Sequence, residues 1–279
     1  MQRNVYILIV SIFALLLGGC GSIVKKPDIN NVKTAAIISI YANSDVPEVK
    51  KRGRVKGWNS DMKREVSDEF FNVYADSLGQ MGWKVVSADK VISSDAYKEA
   101  FEPTIKTENK TAQKLMKFAA KLQEMSEGFN YFTPKGMHPI DLSSQALRNV
   151  SYVNGKRVDK RMQLADFAKK LNVDAVVVVQ LDYCYKGGKL SLGGTGKAYM
   201  TAASTIRAID QKGNMVINMG DLQNCAETKN RAQSEQGYAM IGGNLLAVVA
   251  KNDTLKTMFN QATNENAKLT MQQINKAMK

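Results

Sequence analysis

Few side chains of this sequence are suited to covalent or metal chemistry. Its 279 residues contain three cysteines, Cys20, Cys184 and Cys225, and one histidine, His138. A single histidine excludes sites with several histidine ligands, and two cysteines without a histidine beside them do not predict a zinc site. His138 stands in an irregular Gly-Met-His-Pro stretch, where we expect a loop residue and not the general base of a hydrolase. We therefore expect no catalytic residue, no metal and no cofactor.

A glycine-rich stretch at residues 187–198 approaches a phosphate-binding loop in composition. That loop needs a glycine, four residues, Gly-Lys and then Ser or Thr, whose hydroxyl binds Mg²⁺. Here Ser191 stands at the first glycine position and Ala198 follows Lys197, and the stretch precedes an expected strand. We interpret it as the connection of a β-hairpin.

The first twenty residues predict where the chain resides. Arg3 precedes an apolar run at residues 5–17, which is too short to span a bilayer at about 1.5 Å per residue but fits a signal peptide. The run ends in Leu17-Gly18-Gly19-Cys20, which resembles the lipobox of bacterial lipoproteins. The resemblance implies cleavage before Cys20, a diacylglycerol on its thiol and an acyl chain on its amine, and so a stable lipid anchor.

The residues after Cys20 suggest a destination and a tether. Gly21 stands where retention in the inner membrane of enteric bacteria usually needs Asp, so we expect the outer membrane, with the domain facing the periplasm. Residues 20–32 carry Lys25, Lys26, Pro27 and the pair Asn30-Asn31, which predicts a lipidated tether. With the signal peptide at residues 1–19 removed, one domain is expected over residues 33–279.

The two remaining cysteines form an even pair in a chain expected to reach an oxidising compartment. A disulfide between Cys184 and Cys225 would stabilise the fold by about 3–4 kcal/mol. Two buried thiols are the alternative, because a sequence does not place two Cα atoms within bonding distance.

The charge is strongly positive, with 39 Lys and Arg against 26 Asp and Glu and a formal net charge of +13. Behind a signal peptide we expect no nucleic acid; anionic lipid headgroups, lipopolysaccharide or an acidic protein surface fit better. A solvated, solubilising surface is the alternative. The candidate contact residues are Lys50, Lys51, Arg52, Arg54, Lys56 and Trp58, and a second basic cluster lies at residues 156–161, including Arg157.

The hydrophobic pattern predicts an α/β fold with a mixed sheet of about five strands. The expected order is strand, helix, strand, a helical insertion at about residues 103–160, helix, a three-strand antiparallel meander and a C-terminal helix. Strands are expected at residues 34–41, 83–87, 175–185, 199–210 and 215–224. Helices are expected at residues 60–82, 93–101, 107–127, 162–171 and 253–278, with irregular chain at residues 43–60 and 128–158 and an apolar segment at residues 238–250.

This element order resembles the periplasmic α/β domain of curli-secretion (CsgG-like) lipoproteins and the related TolB N-terminal domain. The matching segments are Ala35-Ala36-Ile37-Ile38-Ser39-Ile40, "LGQMGWKVVSADK" at residues 78–90, "LADFAKKLNVDAVVVVQL" at residues 164–181 and "IRAIDQKGNMVINM" at residues 206–219. The chain departs from the curli pattern because it has no long, paired alternating segments for transmembrane hairpins. The resemblance implies fold and compartment rather than channel activity.

The sequence therefore predicts a non-enzymatic, outer-membrane-anchored lipoprotein that acts by protein–protein interaction in envelope assembly, transport or secretion. One alternative is a component of an oligomeric CsgG-like secretion channel. A second alternative is an envelope hydrolase centred on His138.

Overall fold

A computed structural model of the chain describes residues 23–44, 46, 49–51, 54–56, 60–101, 131–140, 150–153, 156–187, 198–220, 232–234, 237–239, 248–250 and 252–279. The strands are β1 (Ile23–Val24), β2 (Thr34–Ser44), β3 (Val49–Lys51), β4 (Arg54–Lys56), β5 (Lys84–Val86), β6 (Tyr131–Phe132), β7 (Val150–Val153), β8 (Lys156–Asp159), β9 (Ala175–Gly187), β10 (Ala198–Asp210), β11 (Met215–Met219), β12 (Ala232–Ser234), β13 (Gly237–Ala239) and β14 (Val248–Ala250). The helices are α1 (Lys26–Asn30), α2 (Ser60–Gln80), α3 (Ala88–Ile92), α4 (Asp95–Phe101), α5 (Lys160–Lys170) and α6 (Asn252–Met278).

A mixed sheet forms the centre of the fold, with the strand order β1-β11-β10-β9-β2-β5. β2 pairs in parallel with both β5 and β9, whereas β9, β10 and β11 form an antiparallel meander. The predicted five-strand α/β sheet is confirmed in β2, β5, β9, β10 and β11. The short strands β1, β6 and β12 add to it.

Strand β2 is buried on both faces, which explains its nearly continuous apolar sequence. Its pairing register with β9 shifts between Ile37 and Ser39. Beyond this irregularity Ile40 faces the larger core cluster and Tyr41 the smaller one. The Ser39 side chain is fully buried, and its hydroxyl donates to the His138 carbonyl oxygen at 2.8 Å.

Helices cover both faces of the sheet, so the fold has three layers. α2 and α6 pack on one face, where Phe70 and Phe259 are fully buried in the larger core cluster. α3, α4 and α5 pack on the other face, where Val91, Tyr97 and Phe167 belong to the smaller cluster. The helices expected at residues 60–82 and 253–278 therefore share one layer.

One carboxylate ties together the starts of the parallel strands. The Oδ2 atom of Asp174 accepts from the backbone N–H of Lys33 at 2.9 Å and from the backbone N–H and hydroxyl of Thr34 at 2.8 and 2.9 Å. Burial by itself would raise the pKa of the Asp174 carboxyl, but these hydrogen bonds and the charge of Lys33 together lower it below its usual value. The ionised form therefore stabilises the junction between β2 and β9.

The turn between β10 and β11 has the sequence Gln211-Lys212-Gly213-Asn214. Asp210 accepts from the backbone N–H groups of Lys212 and Asn214 at 2.9 and 2.8 Å, as expected for an Asp that starts a turn. Gly213 has a φ of +83°, which a residue with a Cβ adopts only with strain.

Several boundaries differ from the sequence expectation. The expected irregular residues 43–60 contain the β3–β4 hairpin, and residues 128–158 contain β6, β7 and most of β8. Helix α3 was not expected, and the expected apolar segment at residues 238–250 includes the β13–β14 pair. The helix expected at residues 107–127 and the hairpin connection at residues 188–197 lie outside the described residues.

Candidate functional site

The N-terminal edge of the sheet begins immediately after the predicted lipidation site. Ile23 and Val24 of β1 pair with Asn218 and Ile217 of β11, and the Lys25 N–H donates to the Val216 carbonyl at 3.2 Å. Cys20, Gly21 and Ser22 lie outside the described residues. Only these three residues separate the start of the predicted mature chain from the folded domain.

Helix α1 fixes this edge in place. Pro27 stands in its first turn, where a missing N–H costs no helical hydrogen bond. Ile29 and Val32 are 2% and 4% exposed, and burial of each such side chain stabilises by about 1.5–3 kcal/mol. The prediction of a tether over residues 20–32 is therefore wrong from Ile23 onwards, because two buried apolar side chains and strand pairing hold that segment on the domain.

The predicted basic contact cluster falls largely on the β3–β4 hairpin. Lys50 and Lys51 are in β3, and Arg54 and Lys56 are in β4. Arg52 and Trp58, which complete the cluster, lie outside the described residues. The predicted contact with an anionic partner stays a prediction.

The second basic cluster ends in an ion pair. Asp159 caps the N-terminus of α5 by accepting from the Arg161 N–H at 2.8 Å, and its other oxygen meets the Arg161 guanidinium at 2.9 Å. Arg157 lies in β8, opposite Tyr152. Part of this charge is thus neutralised within the chain.

The predicted disulfide has one partner in the described part of the chain. Cys184 is half-buried in β9, opposite Thr201 of β10. Cys225, like Cys20, lies outside the described residues. The pairing of Cys184 with Cys225 therefore stays a prediction.

His138 occupies a packed loop against α4. Its ring stacks on Phe101 with centroids 5.2 Å apart and an interplanar angle of 5°, and its backbone N–H donates to the Tyr97 hydroxyl oxygen at 2.8 Å. The Ser39 hydroxyl donates to the His138 backbone carbonyl and accepts from the Ile140 N–H at 3.0 Å. Burial raises the pKa of Tyr97 to about 12, so this phenol stays protonated at neutral pH. These contacts are those of a residue that fixes the loop on the sheet.

A groove opens between α2 and α6 on the outer side of their layer. Its volume is about 640 Å³, within the size range of small-molecule and peptide pockets. Val73 and Met271 supply the apolar part of its lining. The remaining lining residues are polar: Glu69, Asn72, Asp76, Ser77, Gln80, Asn264, Glu265, Lys268, Gln272 and Asn275.

The groove is acidic, whereas the chain as a whole is basic. Its lining carries the carboxylates of Glu69, Asp76 and Glu265 against the single cation of Lys268, whereas the formal net charge of the chain is +13. Five carboxamide side chains in the lining add both donors and acceptors. Such a lining complements a surface that presents amide and basic groups.

A buried polar layer below the groove holds its two walls together. The Tyr74 hydroxyl of α2 donates to Asn266 Oδ1 of α6 at 2.6 Å, and Asn266 Nδ2 donates to the Ala202 carbonyl of β10 at 3.1 Å. The hydroxyls of Tyr183 and Thr263 are 2.6 Å apart. Burial raises the pKa of both tyrosines well above 10. The neutral network therefore fixes the position of α6 over the sheet.

Sequence reasoning did not find this groove. Most of its residues are polar positions on two helices about 190 residues apart, and the amphipathic pattern of each helix reports only its buried face. Nothing in the spacing shows that the two polar faces meet.

Within the described residues, no group of three His, Cys, Asp or Glu side chains is arranged to hold a metal ion. None of the helices in that part of the chain is both long and apolar enough to cross a bilayer. No protein-family model matches the chain, and no curated protein sequence matches it either.

Proposed function

We propose that this chain is a lipid-anchored outer-membrane protein that binds other envelope proteins without catalysis. The observation that carries the proposal is the position of Cys20, three residues before the first strand. Cleavage before Cys20 removes residues 1–19, and every described element lies downstream of that point. The resemblance of Leu17-Gly18-Gly19-Cys20 to a lipobox supplies the chemistry of the anchor.

The groove between α2 and α6 supports the protein-binding part of the proposal. It is formed by side chains of two long helices whose positions are fixed by the buried Tyr74–Asn266 hydrogen bond. A rigid surface binds a partner without first ordering itself, which lowers the entropic cost of association. The periplasmic partner is expected to present amide and basic groups to Asp76 and Glu265.

The anchor is tested with two cysteine variants in a bacterium that processes lipoproteins. Cys20→Ala should abolish labelling by radioactive palmitate and release the chain from the membrane fraction. The matched control, Cys184→Ala, removes a different cysteine and should leave labelling and fractionation unchanged. Membrane association of Cys20→Ala equal to that of the unaltered chain contradicts the proposal.

The binding surface is tested by photo-crosslinking in cells. A photoreactive amino acid at Gln272, in the groove, should give adducts with another envelope protein. The same amino acid at Gln163, an exposed position of α5 on the opposite layer, is the control and should give none. Adducts at Gln163 with none at Gln272 would refute the assignment of the groove.

The two alternative functions predict other results. A secretion-channel component should form rings with a lumen that are visible by electron microscopy of detergent-extracted chain. An envelope hydrolase centred on His138 should lose its activity in a His138→Ala variant.

A further inference from the structure

We infer that the β1 edge of the sheet lies directly against the membrane surface, held there by the short connection from Cys20. This inference rests on the proposed lipid anchor. The domain then does not diffuse on a flexible tether. It presents the β1 edge of the sheet to the lipid headgroups and the opposite, β5 edge to the periplasm.

The length of the connection sets the distance. Three peptide steps separate Cys20 from Ile23, which span at most about 11 Å when fully extended. The headgroup region of one leaflet is itself about 5–8 Å thick. With the lipid-bearing Cys20 at the surface of the hydrocarbon layer, Ile23 therefore lies in the headgroup region or just outside it.

The connection does not lengthen by unravelling of the edge. β1 is paired with β11, and the Lys25 N–H donates to the Val216 carbonyl. Release of the following helix would expose Ile29 and Val32, which are 2% and 4% exposed in the fold. The chain is therefore held on the domain from Ile23 onwards.

Helix α6 brings its C-terminus to the same edge. Along the helix, Thr263 contacts Tyr183 of β9, and Thr270 contacts Ser204 of β10. α6 also packs against β1, and Val24 and Met278, both partly buried, pack against the larger core cluster. The last turn of α6 thus lies beside the segment that leads to the anchor.

The charges at this edge suit a surface of anionic headgroups. Lys25, Lys26, Lys276 and Lys279 are all exposed. Asp28 in α1 is half-exposed and adds one carboxylate among these four lysines. Exposed lysines next to a lipid anchor are attracted to anionic lipid.

Lysine footprinting of the complete lipidated chain tests the orientation. The protein is reconstituted into vesicles of phosphatidylethanolamine and phosphatidylglycerol, recovered by flotation, and treated with a membrane-impermeant amine reagent before mass spectrometry. The soluble Cys20→Ala chain provides the reference rate at each lysine. Lys84 and Lys90 are the internal controls, because both are exposed and β5 is five strand spacings, about 24 Å, from β1.

Lys25 and Lys26 should react about five-fold more slowly on vesicles than in the soluble chain because headgroups cover them. Lys84 and Lys90 should react at nearly the same rate in both forms. Rates at Lys25 and Lys26 on floated vesicles that equal those of the soluble chain would overturn the orientation while leaving the anchor intact. A chain that does not float overturns both the orientation and the proposed anchor.

A spacer variant tests whether the short connection from Cys20 is what holds the β1 edge at the membrane. Insertion of about twelve Gly and Ser residues between Ser22 and Ile23 adds roughly 20 Å of average reach and leaves every described element unchanged. Labelling of Lys25 and Lys26 should rise to the level of the soluble chain. Protection that persists in the spacer variant would show that the short connection is not what holds the edge at the membrane, and would overturn the inference.

Discussion

Replacement of Gly220 by alanine is expected to destabilise this fold more than any other single methyl addition considered below. Gly220 follows β11 and has a φ of +94°. A Cβ at this position would lie 2.2 Å from the backbone oxygen of Ser204 and 2.9 Å from the Cα of Thr205, whereas carbon and oxygen normally approach to about 3.3 Å. Because β10 is paired with β9 along its whole length, the end of β11 must move instead.

Substitutions at two other glycines measure the backbone strain separately from the steric clash. Gly82 has a similar φ of +88°, and a Cβ there meets nothing within 4 Å, so Gly82→Ala should cost only the about 1–2 kcal/mol of left-handed backbone strain. A Cβ at Gly79, within α2, also meets nothing within 4 Å, so Gly79→Ala should stabilise by about 0.5–1 kcal/mol. Gly220→Ala carries the strain and also displaces Met219, which is 3% exposed, for a total of about 3–4 kcal/mol.

The three variants are compared by urea unfolding in the soluble Cys20→Ala chain, followed by far-UV circular dichroism. The free energy of unfolding should fall in the order Gly79→Ala, unaltered chain, Gly82→Ala, Gly220→Ala, with similar slopes against urea concentration. Equal losses for Gly82→Ala and Gly220→Ala would refute the argument, because the close approach of Ser204 would then contribute nothing.

Four further substitutions follow from the contacts described above. Ile29→Ala should lower the free energy of unfolding by about 2–4 kcal/mol, measured with urea, because it leaves a cavity under α1. Tyr74→Phe should lower it by about 1–2 kcal/mol, since Asn266 Oδ1 loses its buried donor. For Asp174→Asn, urea titrations between pH 7 and pH 3 should show a lower free energy of unfolding than that of the unaltered chain. The difference should be full above 3.8, the ordinary pKa of the Asp carboxyl. It should shrink as the pH falls through the lower pKa of the folded state, because Asp174 of the unaltered chain is then protonated as well. His138→Ala should lower the free energy of unfolding, measured with urea, by about 1 kcal/mol because the stacking of its ring on Phe101 is lost.

Much of the architecture follows from local pattern. The apolar run at Val176–Val179 predicts a strand, which β9 confirms, and all four valines are buried at the centre of the sheet. Met62, Val66, Phe70 and Leu78 recur at helical spacing and are all buried in α2. Asp210 and Gly213 mark the turn between β10 and β11. In each case a few neighbouring residues carry the whole signal, because periodicity and turn chemistry act over one or two turns of chain.

The N-terminal segment shows where local pattern fails. Lys25, Lys26 and Pro27 have the composition of a linker, yet the segment is held by Ile29 and Val32, whose burial depends on a core made by distant strands. A two-residue strand such as Ile23–Val24 has no periodicity to detect, since its pairing partner is nearly 200 residues away. Tertiary packing therefore overrides the local preference for an extended tether.

The groove and the His138 contacts fall outside the reach of local pattern for the same reason. Glu69 and Glu265 come together because α2 and α6 share one face of the sheet, and His138 meets Phe101 because its loop returns to α4.

The sequence alone determined the element types, the antiparallel meander and the candidate lipidation of Cys20, since each depends on the chemistry of a short stretch of chain. The tertiary structure decided that the domain already includes Ile23, that Asn266 links α6 to Tyr74, and that two polar helix faces form one groove. These depend on long-range contacts, whose free energy arises only when distant segments bury surface against each other.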